Sequence, residues 1–419
     1  MILRDPVHGD IELSGVETAL LDLPVMQRLR GIKQLGTAYL VYPGALHTRF
    51  DHSIGTCALA HRIVGHLRQA GHAVTPAQET EVAVAALLHD ITHVPFGHTL
   101  EDERRLFARH DQGTRLATLL EGQLGEALKT AGLLPEVAGL LGGGPLRSPP
   151  WMRDIVSGTI DADLLDYLRR DSFFTGLSHH YDDRIFRSFA LRDERLVMRL
   201  VRHGMDRPDA RSEIIQVLRL RYFLTERVYY HHTKVVAGAM ISKAVESAWD
   251  AGELQEPDLL ALNDWTLLDR LRHSAMPDAA MLAGQVQDRK LLKRGYVVSG
   301  KSLTPGERQD WVGRYHQDRA ARTRAERDIA DALGLSFGEV ILYCPTLTAM
   351  KEAALPIENS SGLAWLNDPG SESHDEIDAL QARYADLWRC YVFVPEAAAA
   401  AAADVCRDLF GVASEHRAA

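Results

Sequence analysis

The chain has 419 residues, a formal net charge of −10 at pH 7, 46% hydrophobic residues and 25% charged residues. That balance supports a large folded core, and the length predicts two or three domains. The acidic excess argues against broad capture of nucleic acid, and no apolar run reaches the roughly 18 residues of a membrane span.

Four cysteines (Cys57, Cys344, Cys390, Cys406) lie far apart without a CxxC pair. Neither a disulfide framework nor a thiolate zinc site is expected, and a reducing cytoplasm fits. The start "MILRDPVHGD" has no basic segment followed by an apolar one, so no secretory leader is expected. The compositional clue is histidine, present 19 times.

Most of the chain reads as helix. Residues 53–69 place Ile54, Cys57, Ala58, His61 and Val64 at helical spacing. "TPAQETEVAVAALLHD" (75–90) opens with a capping box from Thr75 to Gln78 and has Pro76 at the first helical position. It is apolar on most sides, which predicts a buried helix. "GLLGGGPLRSPPW" (139–151) predicts a loop. Residues 210–250 read as one long helix or two in tandem. Strand signals appear only late, as "YVVSG" from 296, "EVILYCP" from 339 and "CYVFVP" from 390. Thr304 to Glu307 forms another capping box, and "EAAAAAAADV" is plain helix-former composition. These elements predict a mainly α protein: a helical region over 1–275, then a smaller α+β lobe over 276–419 with a few antiparallel strands. No internal repeat is present.

Chemistry concentrates in "HTRFDHS" (47–53) and "LLHDITHVPFGH" (87–98), which share five histidines, two aspartates and an arginine. His89-Asp90 ends an apolar helix and His52 begins another. In "TIDADLLDYLRRD" (159–171), Asp163, Tyr167 and Asp171 recur every four residues, with Leu164, Leu165 and Leu168 opposite them. Three helices thus present polar groups from apolar sequence. Buried without partners, such groups cost roughly 2–7 kcal/mol each. A divalent cation satisfies them together, and imidazole with carboxylate suits Mn, Fe, Co, Ni or Zn. Such an ion acidifies water and polarises a phosphoryl oxygen.

"HTRFDHS", "HDITHVPFGHTLE" and "IDADLLDYLRRD" together resemble the HD-domain phosphohydrolase superfamily, whose metal signature runs His … His-Asp … Asp. "DPVHGDIEL", "QRLRGIKQLG" and "VYPGALHTRFDHSIG" bring the resemblance to the deoxynucleoside triphosphate triphosphohydrolase branch, the one that includes the animal SAM-and-HD-domain enzyme. "ERDIADALGLSFGEVILYCP" and "KEAALPIE" extend it to about residue 357. The resemblance implies an HD-domain helical bundle with metal ligands His52, His89, Asp90 and Asp163. It implies His98 as the acid at the leaving oxygen, Glu101 orienting it, His110 as a further catalytic-pocket histidine, and His93 and Arg49 facing phosphate. Gln34, Tyr167, Asp171 and Tyr229 match sugar- or base-contacting positions, and Arg221 matches a phosphate-contacting arginine. The implied cofactor is a divalent ion (Mn, Fe, Mg, Co, Ni or Zn). The implied partners are a nucleotide substrate and further copies of the chain, as dimer or tetramer; neither membrane nor nucleic acid is expected.

Two positions depart from the pattern. Thr225 stands where the family often has histidine, which bears on phosphate length. Asp22 and Arg30 match a base-reading regulatory pair, but Arg4 replaces an asparagine, and no SAM domain is expected before the HD region. The expected reaction is hydrolysis of a deoxynucleoside triphosphate to deoxynucleoside and triphosphate. Two alternatives stay open: a nucleotidase or phosphodiesterase on another nucleotide, and a non-catalytic nucleotide sensor. Outside this set, His61, His66, His179 and His180 read as structural or exposed, and His8 as a turn or subunit-contact residue. His231 and His232 read as structural or phosphate-facing.

Overall fold

Helix boundaries follow the capping chemistry. A computed structural model describes residues 1–112 and 114–416. In it the helix Arg49–Gln69 begins four residues before the expected position, because Thr48 and Asp51 form a capping box: the Thr48 hydroxyl accepts the Asp51 N–H and the Asp51 carboxylate accepts the Thr48 N–H. His52 is therefore fixed in the first turn. The helix Pro76–Leu88 starts at the expected Thr75–Gln78 box and ends with His89 as its cap residue. It packs along Arg49–Gln69, which also receives the helix Ala162–Thr175. Leu164, Leu165 and Leu168 are buried, as are Leu87, Leu88 and Ile91. Each such side chain stabilises the bundle by about 1.5–3 kcal/mol, so this core holds the intervening polar groups in place.

The stretch 210–250 resolves into two helices, Pro208–Leu224 and His232–Asp250, joined by a wide turn over Thr225–Tyr229. The expected loop runs between the helices Leu134–Leu140 and Pro150–Ser157. No helix among the described residues is long and apolar enough to cross a membrane.

The chain is mainly α with a smaller α+β C-terminal region. Strands Lys293–Ser299, Arg389–Val394 and Ile341–Tyr343 form the expected antiparallel sheet, with Arg389–Val394 in the middle. The expectation that strands occur only late is wrong. Ile2–Asp5 pairs with Gly9–Glu12 as an N-terminal hairpin, and Phe189–Arg192 pairs with Arg195–Arg199. These strands are four or five residues long. At that length, alternation is too brief to stand out from a loop. Arg195–Arg199 also pairs in parallel with Pro356–Asn359, which in turn carries Gly362–Trp365. The apolar clusters cross residue 275 as well: one gathers side chains from Ile11 to Tyr384 and another from Val94 to Phe393.

A buried charge network ties the late residues to the helical part. Glu326 accepts hydrogen bonds from Arg104 at 2.9 and 3.1 Å, from Lys243 Nζ at 3.1 Å and from the Leu342 N–H at 2.9 Å. Burial would raise the Glu326 pKa, but the two cations override it and hold the group at about 2. A folded pKa below the unfolded value adds stability above about pH 4.3 and loses it as pH falls toward the folded value. Glu326→Gln is expected to destabilise the protein at pH 7 by about 3–5 kcal/mol, because buried Lys243 loses its carboxylate partner and buried Arg104 is left with Glu246 alone. Thermal melts should also show a flatter loss of stability for the variant than for wild type between about pH 4.3 and 2.

Candidate active site

Two histidines face each other with their other nitrogens already committed. His89 Nδ1 donates to the Ala86 carbonyl at 2.7 Å, and the wholly buried His52 donates from Nδ1 to Asp166 Oδ2 at 2.7 Å. Those bonds set the tautomers and leave both Nε2 lone pairs free. The two Nε2 atoms lie 3.2 Å apart. Asp163 Oδ1 is 2.9 Å from His52 Nε2 and 3.6 Å from His89 Nε2. Asp90 places Oδ1 3.5 Å from His89 Nε2 and Oδ2 3.8 Å from His52 Nε2.

Acceptors thus meet acceptors, and a cation resolves the conflict. A proton is one answer. Burial would lower the His52 pKa, yet its bonds to Asp163 and Asp166 override this and push it up to about 10. A divalent ion is the other answer, since imidazoles with carboxylates make a donor set that borderline metals accept. His52, His89 and Asp163 form the tight group, with one donor atom each and all within 4.8 Å of one another. Asp90 borders it and is shared: Arg49 donates to its Oδ2 at 2.6 Å. Burial would raise the Asp90 carboxyl, but Arg49 dominates and holds it well below the usual range.

Behind His52 lies a buried scaffold that the motif reading did not identify. Asp166 takes two hydrogen bonds from Arg170, at 2.8 and 2.9 Å, and lies 2.6 Å from His8 Nε2. Arg170 also donates to Asp5 at 2.7 Å. His8 is a turn residue, as expected, and the N-terminal hairpin whose turn it occupies carries it into this network. Gly55 provides the space: a Cβ there would come within 2.0 Å of Asp166 Oδ1. The i,i+4 spacing of Asp166 and Arg170 was the available local signal.

A second histidine group follows the first. Phe96 and Gly97 both adopt positive φ, 59° and 56°, and turn the chain so that His98 enters the cavity. A Cβ at Gly97 would meet the Arg49 guanidinium at 2.7 Å, so glycine is also required for room. Glu101 is buried and accepts from His98 Nδ1 at 3.2 Å, His110 Nδ1 at 3.4 Å and Arg115 at 3.1 Å. Burial would raise Glu101, but the hydrogen bonds from His110 and His98 outweigh it and keep the carboxylate ionised. His93 stacks on His110 with ring centres 3.8 Å apart and planes 21° from parallel. In-plane lone pairs on stacked rings run side by side instead of converging, so this group suits proton handling better than a metal. Burial, then the charge of Arg49, keep His93 neutral.

Both groups border one cavity of about 1110 Å³, which accommodates a nucleotide-sized ligand. Its wall includes Gln34, Arg49, His89, Asp90, His98 and His110. Asp163, Tyr167, Asp171, Arg221 and Tyr229 complete the expected set. His52, His93 and Glu101 are buried around this wall. Asp171 is held by His47 Nε2 at 2.8 Å and the Tyr229 hydroxyl at 2.7 Å, and Arg221 bonds the Tyr167 hydroxyl. Helical periodicity stops at Leu224, yet the wide turn still delivers Thr225 and Tyr229 to the wall. Thr225 spends its hydroxyl on the Arg221 carbonyl at 2.8 Å. His231 instead caps the helix His232–Asp250 by accepting the Thr233 N–H. Sequence reasoning missed Asp161, Lys234, Glu352 and Tyr384, which also line the cavity. Buried polar atoms without partners cluster around it: Gln34 Oε1, both nitrogens of His93, Arg49 Nε, Arg221 Nε and Glu352 Oε2. Such atoms mark where a ligand's polar groups belong.

The comparisons agree with this geometry. The profile of the HD domain matches residues 49–171, and that of the HD associated region matches 183–419, more than half of the chain. An uncharacterized protein of Methanocaldococcus jannaschii is 32% identical over 318 residues, covering 74% of this chain and 62% of the relative. The deoxynucleoside triphosphate triphosphohydrolase SAMHD1 of Homo sapiens is 27% identical over 421 residues, covering 82% of this chain and 65% of the relative. The chain spans between about two-fifths and two-thirds of the length of these and other curated relatives it matches. The crystal structure of a phosphohydrolase from Bacteroides thetaiotaomicron superimposes with a TM-score of 0.72, covering 94% of this chain and 100% of that one at 24% identity, which shows a shared fold.

Titration calorimetry with Mn or Co tests the donor set. Asp163→Ala is expected to lose measurable binding. Asp166→Asn, which removes the charge behind His52 and leaves Arg170 with Asp5 as its carboxylate partner, is expected to weaken affinity by about 10–100-fold with the helical circular dichroism retained.

Proposed function

We propose, given that the chain belongs to the HD-domain phosphohydrolase superfamily, that it hydrolyses deoxynucleoside triphosphates to deoxynucleoside and inorganic triphosphate. Residues 1–275 would form the catalytic region, with 276–419 as a lobe that adds Tyr343, Glu352 and Tyr384 to the pocket wall. The observation that carries this reading is the convergence of the His52–His89–Asp163 group, the His98–Glu101 pair and the unpartnered polar atoms on one cavity.

His52, His89, Asp90 and Asp163 would hold the divalent ion. When bound, it supplies Lewis-acid chemistry that polarises a phosphoryl oxygen and makes water acidic enough to attack at neutral pH. The remaining steps belong to side chains. Arg49, placed beside Asp90, and the neutral His93 face the phosphate and balance charge as it shifts toward the leaving side. Water oxygen bonds to the α-phosphorus as the water gives up a proton to solvent, and the bond from phosphorus to the 5′ oxygen breaks. His98 supplies a proton to that oxygen, with its Nδ1 held by Glu101 and its Nε2 left for transfer. His110 shares Glu101 and keeps the carboxylate in place. Gln34, Tyr167, Asp171 and Tyr229 would position sugar and base.

A second reading is hydrolysis of a nucleotide with a shorter phosphate chain. It draws on Thr225, whose hydroxyl is already used within the protein. The same proposal includes self-association as a dimer or tetramer and a cytoplasmic location. Light scattering after size exclusion reads the assembly.

The decisive assay is a panel of four dNTPs and four rNTPs with Mg, Mn, Fe and Co, resolved by product chromatography. Triphosphate release supports the first reading; orthophosphate or monophosphate release supports the second. Asp163→Ala is expected to abolish turnover, and His98→Ala to lower kcat by about 10²–10⁴-fold with KM little changed. Tight nucleotide binding without turnover under every metal would refute both catalytic readings.

A further inference from the structure

Glu352 lies in "KEAALPIE", a stretch the site chemistry leaves unused. It belongs to the segment between strands Ile341–Tyr343 and Pro356–Asn359, which sends Pro345, Thr346 and Glu352 to the cavity wall. Its Oε1 lies 3.0 Å from Arg221 Nε, with both side chains largely buried. The pair is nonetheless incomplete. Arg221 Nε has no aligned hydrogen bond, and Glu352 Oε2 is buried with no partner at all. A guanidinium that had found its proper anion would make two parallel N–H···O bonds.

The other arginines of the wall each have aligned partners, although Arg49 Nε, like Arg221 Nε, is left without one. Arg49 is bound to Asp90, Arg153 donates to the Gly139 and Leu140 carbonyls, and Arg109 pairs with Asp102 and Asp111. Arg221 donates to the Tyr167 hydroxyl, and it is the arginine whose carboxylate partner fits poorly. It is also close enough to Asp163 for that charge to act on it, which places it near the candidate metal group.

We propose that Glu352 is a placeholder for the terminal phosphate of a polyphosphate substrate, so that the pocket discriminates by phosphate chain length. This rests on reading the cavity as a nucleotide phosphohydrolase site. A triphosphate reaches Arg221, displaces the carboxylate and takes the guanidinium in forked geometry. A single phosphate stays near Arg49 and the histidines and leaves the Arg221–Glu352 pair untouched. The competing carboxylate reduces the affinity of long chains by the fraction of time that Arg221 is occupied.

The test uses the metal-loaded full chain with inorganic tripolyphosphate and orthophosphate as probes in titration calorimetry. Glu352→Gln is expected to bind tripolyphosphate about tenfold more tightly, as for a competent state occupied about a tenth of the time, with orthophosphate affinity unchanged. Glu352→Ala must act in the same direction. The gain must vanish when Arg221→Gln is added. In turnover, the effect should appear in KM for a dNTP and not in KM for the matching monophosphate. Equal gains for both probes, or weaker tripolyphosphate binding by both Glu352 variants, would overturn the proposal while leaving the phosphohydrolase reading standing. Failure of wild type and variants to bind any phosphate with any metal would overturn both.

Discussion

Two imidazole nitrogens at 3.2 Å, each with a free lone pair, form the constraint around which this structure is arranged. Neither histidine relieves it by changing tautomer, because Asp166 and the Ala86 carbonyl hold the opposite nitrogens. Asp163 and Asp90 sharpen the conflict by adding anionic oxygens. An apolar protein interior does not assemble such a group without a cation to share it. Much of the nearby architecture can be understood as the means of holding that arrangement. Thr48 fixes the start of one helix, the cap position fixes His89 at the end of another, and the leucine face of Ala162–Thr175 sets the depth of Asp163.

The constraint propagates outward through charge. Asp166 binds His52, but a lone buried carboxylate there would be costly, so Arg170 neutralises it and Asp5 in turn engages Arg170. His8 contributes from the same hairpin. The N-terminal strands therefore serve the site, although they contribute no atom to the cavity wall. Gly55 is the steric counterpart of this arrangement, since any side chain there would occupy the volume of the Asp166–Arg170 pair.

Legibility in the sequence follows this hierarchy. Helices announced themselves where capping boxes coincide with apolar periodicity, as at Thr75, and the His-Asp group was visible because polar residues interrupted apolar helices. Three of the four candidate ligands, His89, Asp90 and Asp163, and most of the expected wall residues line one cavity, and His52 is buried against His89 and Asp163. Their roles came from resemblance, because spacing alone does not separate a ligand from a cap. What escaped was long-range or short-lived in sequence. His8 meets Asp166 across 158 positions, and no local pattern encodes that. The strands of the N-terminal hairpin are too short to show alternation. Glu352 approaches Arg221 from a segment of irregular backbone, where neither periodicity nor capping constrains the reading.

The electrostatics of the wall then pose the question that a nucleotide reading has to answer. Acidic groups crowd the cavity: Asp161, Asp163, Asp171 and Glu352 all face it, together with Asp102 and Glu103. A polyanion entering such a space meets repulsion unless cations outweigh it locally. Part of the acidity is silenced: burial and then the neighbouring Asp163 raise the Asp161 carboxyl well above the usual range, and burial raises Glu103 to about 8. Part is consumed structurally, since Asp171 is bound by His47 and Tyr229. Asp102 pairs with Arg109, which leaves the carboxylates beside the candidate metal group and the Glu352 side chain on Arg221 to face the ligand. The first draws a cation in and so becomes attractive to phosphate. The second gives way only when a better anion arrives, which makes charge neutrality inside the pocket depend on what occupies it.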